Sequence, residues 1–211
     1  MNLYLFNAHD SAAAYGIGTY LNELTRAMES TGINIHIIHL HSIYPEFEVV
    51  KINQVENWYI PEVRNYNTFS GSLQKMEDYY RNVIYILRLY IKDTKDLVFH
   101  FNYNQCYVLA KELKTVFNCK TVAVIHYMKW ALELNGNLHQ LRMIKEKSEK
   151  QRRAYEQRIY KMDEYEALIY KEVDRIIVLS QYTKNLLLSE YQIEPEKISV
   201  IPNGLADRCL E

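Results

Sequence analysis

From Asn2 to Ile201 the chain alternates short apolar runs with longer segments of helical periodicity, and few architectures satisfy that alternation. Strands are predicted over Asn2–Asn7, Ile33–Leu40, Leu97–Phe101, Thr121–His126, Arg175–Leu179 and Ile198–Ile201, with a further strand or pair of short strands in Glu48–Tyr59. Helices are predicted over Ile17–Ser30, Leu73–Lys92, Gln105–Phe117 and Tyr182–Tyr191, and Leu138–Glu172, rich in Glu, Lys, Arg, Gln and Ala, reads as one long charged helix. Pro61 to Gly71 is polar and reads as a loop. All-apolar strands such as Ile176-Ile177-Val178-Leu179 imply burial on both faces. The expected fold is α/β: a single doubly wound, mostly parallel sheet of about seven strands, with helices on both faces. Ligands of such sheets lie beyond the carboxyl ends of the strands, which points to the loops after Asn7, His41, Phe101, His126 and Leu179.

Composition narrows the function classes. A chain of 211 residues fits one sizeable domain, and 48% hydrophobic residues with only 6 Gly and 4 Pro exclude a disordered or repetitive chain. The net charge of -1 gives no pull toward nucleic acid, and no nucleic-acid motif is present. The 19 tyrosines read as half-buried aromatic surface that would also suit sugar stacking. Three scattered cysteines, Cys106, Cys119 and Cys209, have no metal or disulfide spacing and fit a reducing compartment. The N-terminus lacks a basic signal-peptide region, and the longest apolar run, Val83 to Ile91, is interrupted by Arg88. The expected location is cytoplasmic, including the inner face of the cytoplasmic membrane.

Several residues carry candidate chemistry. Tyr15-Gly16-Ile17-Gly18 opens directly into a helix, where glycine lets backbone approach a phosphate and the helix N-terminus favours its charge. The dinucleotide pattern fails, since Leu21 stands at the third glycine and the next strand ends in His39-Leu40-His41 without an acid. His126 ends a β-branched strand and is placed to meet a sugar hydroxyl or phosphate; a satisfied strand-end histidine is the alternative. His100 ends the neighbouring strand, with packing or hydrogen bonding under the loop the favoured role. Of His36, His39 and His41, strand alternation puts only the last two on one face, with no carboxylate or cysteine beside them in sequence, so no metal site is expected. Arg142, Lys145, Lys147, Lys150, Arg152 and Arg153 either meet anionic lipid or form a solvated face with pairs such as Glu146–Lys150 and Glu149–Arg153.

Five segments together resemble one family. They are Tyr15-Gly16-Ile17-Gly18-Thr19-Tyr20, Asp96–Phe101, Val122–His126, Val173–Lys184 and the closing Ile198-Ser199-Val200-Ile201-Pro202-Asn203-Gly204. The chain resembles the N-terminal, Rossmann-like domain of retaining family-4 glycosyltransferases of the GT-B fold. The resemblance implies an acceptor-side domain over residues 1–204, with 205–211 the start of an interdomain linker or an artificial end, and a donor-binding domain beyond it. It implies transfer of a sugar from a nucleotide-diphosphate donor to a hydroxyl acceptor (sugar, lipid-linked or peptide), in bacterial polysaccharide or glycoconjugate synthesis, without a cofactor or metal. It assigns Gly16, Ile17 and Gly18 to the donor diphosphate, His126 to the donor sugar as catalytic residue, His100, Asn102 and Ser180 to the cleft lining, and Pro202, Asn203 and Gly204 to the interdomain hinge. Tyr15 replaces the first of two glycines common in relatives, and Asn102 stands where some carry a second histidine. A sugar-nucleotide epimerase of the same shape and a non-catalytic Rossmann-like binding module are the other readings.

Overall fold

The computed structural model describes residues 1–8, 16–62 and 72–204. Its strands are β1 (Asn2–Ala8), β2 (Asn34–Ser42), β3 (Glu48–Ile52), β4 (Val55–Pro61), β5 (Leu97–Phe101), β6 (Cys119–Ile125), β7 (Arg175–Val178) and β8 (Ile198–Val200). They form one sheet in the order β3-β4-β2-β1-β5-β6-β7-β8, so the sheet has eight strands. Every pairing is parallel except β3 with β4, because Glu48–Tyr59 is a hairpin, the paired form of the two alternatives. Its turn residues Asn53 and Gln54 both have left-handed backbone, at φ 45° and 67°, the twist that suits a two-residue hairpin loop. The chain winds outward from β1 in one direction through β2 and in the other through β5, leaving a crevice between the carboxyl ends of β1 and β5.

The helices are α1 (Ile17–Met28), α2 (Ser72–Tyr90), α3 (Tyr107–Val116), α4 (Lys129–Glu133), α5 (Leu138–Glu146), α6 (Ala154–Glu172) and α7 (Gln181–Glu190). Strand alternation sends Tyr4 and Phe6 into one core and Leu3 and Leu5 into another. The first core is large and gathers side chains from α2 to α7, including Leu87, Leu109, Trp130, Ile144, Ile169 and Leu187. The second is small: α1 lays Ile17 and Leu21 on Leu3, Leu5 and Ile37. Helices do occupy both faces, but among the described residues the second face has α1 alone. Beyond α1 that face is a groove of about 990 Å³ lined by Tyr20, Val98, Val122, Ile177 and Pro202 among others.

The charged segment departs from expectation twice. Leu138–Glu172 is not one helix: α5 ends at Glu146 and α6 begins at Ala154, with a 3-10 turn at Glu149–Gln151 between them. Ser148 and Gln151 form a capping box that restarts the chain, and the Arg152 guanidinium donates to the Ile144 and Lys145 carbonyls that end α5. Nor are its charges simply a solvated face. Glu156, Asp163 and Glu166 line one side of α6 and are buried. Lys147 pairs with Glu156 at 2.7 Å and Lys145 with Asp163 at 2.9 Å. Arg142 pairs with Glu190, Arg153 with Glu156, and Arg152 stacks on Tyr160, 3.3 Å from the ring centre. Arg153 thus meets Glu156, one turn ahead, rather than Glu149, and Lys145 and Lys147 follow carboxylates that face inward.

The β2 histidines also differ from simple alternation. His41 has φ 56° at an irregularity in the β2–β4 register, and this kink stacks it on Tyr79 of α2. His39 instead bonds Asn57 at 2.9 Å and stacks on Tyr59, so the two do not converge. His36 does have a carboxylate neighbour, Glu56, at 3.0 Å across the strand pair. Among the described residues no three His, Cys, Asp or Glu side chains gather as a metal site. Tyr15, the loop after Asn7, most of the Pro61–Gly71 loop, and residues 205–211 with Cys209 lie outside the described residues.

Candidate functional site at the strand ends

Three side chains on the α1 face meet at the carboxyl end of the sheet. Parallel register pairs Leu5 with His100 and His100 with Val122, so residues two further on, Asn7, Asn102 and Val124, continue the same face, and His126 follows just past β6. Asn102 is the hub and is 1% exposed. Its Nδ2 donates to the Phe6 carbonyl at 3.2 Å and meets His100 Nδ1 at 3.3 Å. Its Oδ1 faces His126 Nε2 at 3.4 Å. Since a carbonyl only accepts, the Phe6 contact fixes which end of the amide points where. His126 therefore carries its proton on Nε2, leaving Nδ1 as an acceptor.

Both imidazoles are neutral. Burial pushes His126 down to about 4. Burial, and then the neighbouring His126 charge, push His100 down to about 4 as well. His126 is half-buried, its ring meeting the edge of Tyr20 with centroids 4.8 Å apart. His100 is buried and held by Asn102, and it also contributes to the lining of the α1-face groove.

Gly16 is the N-cap of α1, with φ 77° and no side chain of its own to cap the helix. The left-handed conformation explains why glycine is there. Ile17, assigned by resemblance to the diphosphate, puts its side chain into the small core, and Gly18 lies in the first turn of α1 rather than in the loop. What the first turn offers is backbone: Tyr20 N donates to Gly16 O, while the preceding N–H groups have no partner within the helix. Ser180 caps α7, accepting from Thr183 N at 3.1 Å, so its hydroxyl serves the helix. Ile201 N donates to Val178 O at 2.9 Å, and Pro202, Asn203 and Gly204 then leave the sheet exposed along the α1-face groove.

Residues not singled out in the sequence hold the site from below. Asn104 Nδ2 donates to the Tyr127 carbonyl at 2.6 Å and to Glu166 Oε1 at 3.0 Å. Glu166 also accepts from Lys129 N at 3.2 and 3.3 Å. Asp174, part of the Val173–Lys184 segment, accepts from Thr121 N and Oγ1, both at 2.8 Å, and so ties β7 to β6. A carboxylate on a charged helix gives no sequence signal of its partners, which come from loops 37 to 62 residues away.

The result is an α/β domain with a mostly parallel sheet that carries a half-buried histidine and a helix start at the carboxyl ends of its strands. The Glycosyltransferase Family 4 sequence profile matches residues 14–207. The chain belongs to that family. Its structure is similar to sucrose-phosphate synthase from Thermosynechococcus elongatus, at 15% identity and a TM-score of 0.64 over 97% of this chain and 48% of that one. It is also similar to a glycosyltransferase from Rickettsia africae, at 13% identity and a TM-score of 0.51 over 97% of this chain and 43% of that one. The α,α-trehalose-phosphate synthase (UDP-forming) from Burkholderia vietnamiensis gives 11% identity and a TM-score of 0.51 over 97% and 48%. The fold is that of the N-terminal domain of GT-B glycosyltransferases, and the chain spans about half the length of these relatives. No curated protein matches the sequence. Among the described residues no helix is long and apolar enough to cross a membrane.

Proposed function

We propose that this chain is the acceptor-side domain of an enzyme that moves a sugar from a nucleotide-diphosphate donor to a hydroxyl acceptor with retention, in bacterial polysaccharide or glycoconjugate synthesis. The observation that carries the reading is the neutral His126, its Nδ1 left as an acceptor, beside the helix α1 that starts at Gly16 in a glycosyltransferase-family domain. A neutral imidazole can accept from a sugar hydroxyl without adding positive charge near an oxocarbenium-like centre. The N–H groups of the first turn of α1 suit the charge that grows on a departing diphosphate. Positioning and charge stabilisation supply the catalysis, and the reading enlists no cofactor beyond the nucleotide-sugar substrate.

A second domain, joined through Pro202-Asn203-Gly204, would complete the donor site. This chain alone is then inactive and binds nucleotide-diphosphate sugars weakly. The basic segment is not enlisted for a membrane in this reading, because Arg142, Lys145, Lys147, Arg152 and Arg153 are engaged within the fold. The test is a longer protein that includes the following domain, given nucleotide-diphosphate sugars with and without saccharide acceptors. His126→Ala should lower kcat/KM by about a hundredfold while the unfolding midpoint barely moves. Unchanged kcat/KM removes His126 from the site, and an epimerised sugar formed without acceptor favours the epimerase.

A further inference from the structure

Glu166 differs from the other buried carboxylates of α6. Glu156 and Asp163 face lysines of the α5 region, whereas Glu166, 1% exposed, turns to the loops that follow β5 and β6. The groups bonded to it are donors: Asn104 Nδ2 on Oε1, Lys129 N shared between both oxygens, and Tyr170 OH at 3.5 Å on Oε2. Asn104 lies two residues after Asn102, and Lys129 three residues after His126. Asn104 also donates to the carbonyl of Tyr127, the residue that follows His126. One carboxylate thus fastens together the two segments that carry Asn102 and His126.

The chemistry of the partners calls for a carboxylate. An amide would set a donor against donors, and an apolar side chain would leave the Lys129 N–H without its acceptor. Burial opposes the charge and pushes Glu166 up to about 7, with Asn104, the Lys129 N–H and the Lys129 charge holding it down and Asp163 adding to the rise. Asp163 is itself bound by Lys145 from α5 and by Tyr191 beyond α7, and Tyr170 lies one turn along α6. Lys129 is the cation facing Glu166 from α4.

We propose that the Glu166 carboxylate is a positioning residue for the strand-end site, locking the post-β5 and post-β6 loops together and so fixing where the His126 ring stands in the crevice. That this matters for sugar transfer rests on the function proposed above; the locking does not.

The test uses the intact 211-residue chain and nitrogen-resolved NMR from pH 5 to 9. A protonated carboxyl has one oxygen fewer to accept with, so the Lys129 amide, the Asn104 side-chain amide and the His126 ring nitrogens should shift together in one step centred near 7. His126 itself titrates near 4, below this window. Glu166→Gln should abolish the step and displace the His126 ring signals at every pH. Asn104→Ala should displace the His126 signals as well, by cutting the tie to Tyr127 while leaving the carboxylate in place.

A folded Glu166→Gln protein whose His126 signals match the wild type overturns the proposal, and so does a folded Asn104→Ala protein whose His126 signals do not move. UDP-glucose added at millimolar concentration is scored separately at His126 and Gly16. Shifts there support the transferase reading, while the His126 signals of the two variants decide the role of Glu166.

Discussion

Asn102 Oδ1 stands 3.4 Å from His126 Nε2, and the same amide is held at its other end by the Phe6 carbonyl at 3.2 Å. The rotamer and tautomer of the cleft histidine are thereby set by the backbone of the central strand. Asn102→Asp should turn this neutral bond into an ion pair and carry the His126 pKa from about 4 to at least the ordinary imidazole value. An NMR titration of the His126 ring reads it directly. A value that stays near 4 would mean that Asn102 does not govern the ring.

His100, buried, and His126, half-buried, give the fold a defined acid response. Their folded pKa values of about 4 lie below the ordinary 6.5, so the unfolded chain binds more protons between these limits and stability falls as pH falls through them. For the buried His100 the difference is about 3 kcal/mol at full extent. Glu166 acts in the opposite sense, since its raised value near 7 makes the folded state the better proton binder between about 4.5 and 7. Unfolding midpoints measured from pH 7 to 4.5 should therefore drop, and Glu166→Gln should steepen the drop. A shallower slope in that variant would contradict the assignment.

Gly16 should be required for its backbone. A Cβ there would meet nothing within 4 Å among the described residues, yet φ 77° is costly for any residue with a side chain. Gly16→Ala is expected to destabilise the chain by about 1 to 2 kcal/mol in denaturant unfolding. A neutral substitution would indicate that the start of α1 adjusts freely and would weaken the case for a preformed anion-facing turn.

The ionic seam between α5 and α6 should behave as buried structure. Lys145→Ala strips Asp163 of its cation and leaves it only the Tyr191 hydroxyl, at a cost of about 2 to 3 kcal/mol. Lys150, for which the structure shows no ion pair among the described residues, should tolerate the same change within about 0.5 kcal/mol. Equal effects at the two lysines would refute the distinction.

Most strands and helices were legible because their signals are local. Leu97–Phe101 is β5 to the residue, and the Tyr80, Val83, Ile84, Leu87 and Ile91 stripe is the buried face of α2 and its end. The Glu48–Tyr59 hairpin was half legible, since Asn53-Gln54 is a weak turn signal whose left-handed backbone shows only in three dimensions. His126 and Gly16 were reachable through their places at element ends. Ser180, named for the cleft, also caps α7, a role written in its own Ser-x-x-Thr spacing.

The sequence by itself determined the parallel α/β sheet and its strand-end crevice, because apolar runs and helical periodicity are properties of neighbouring residues. Tertiary structure decided which charges are buried and what they hold. Glu156, Asp163 and Glu166 belong to what reads in sequence as one long charged helix, and only the closing of α5 and the strand-end loops over them makes them buried. A carboxylate takes its character from the donors and the dielectric around it, and those are supplied by segments that only folding brings near.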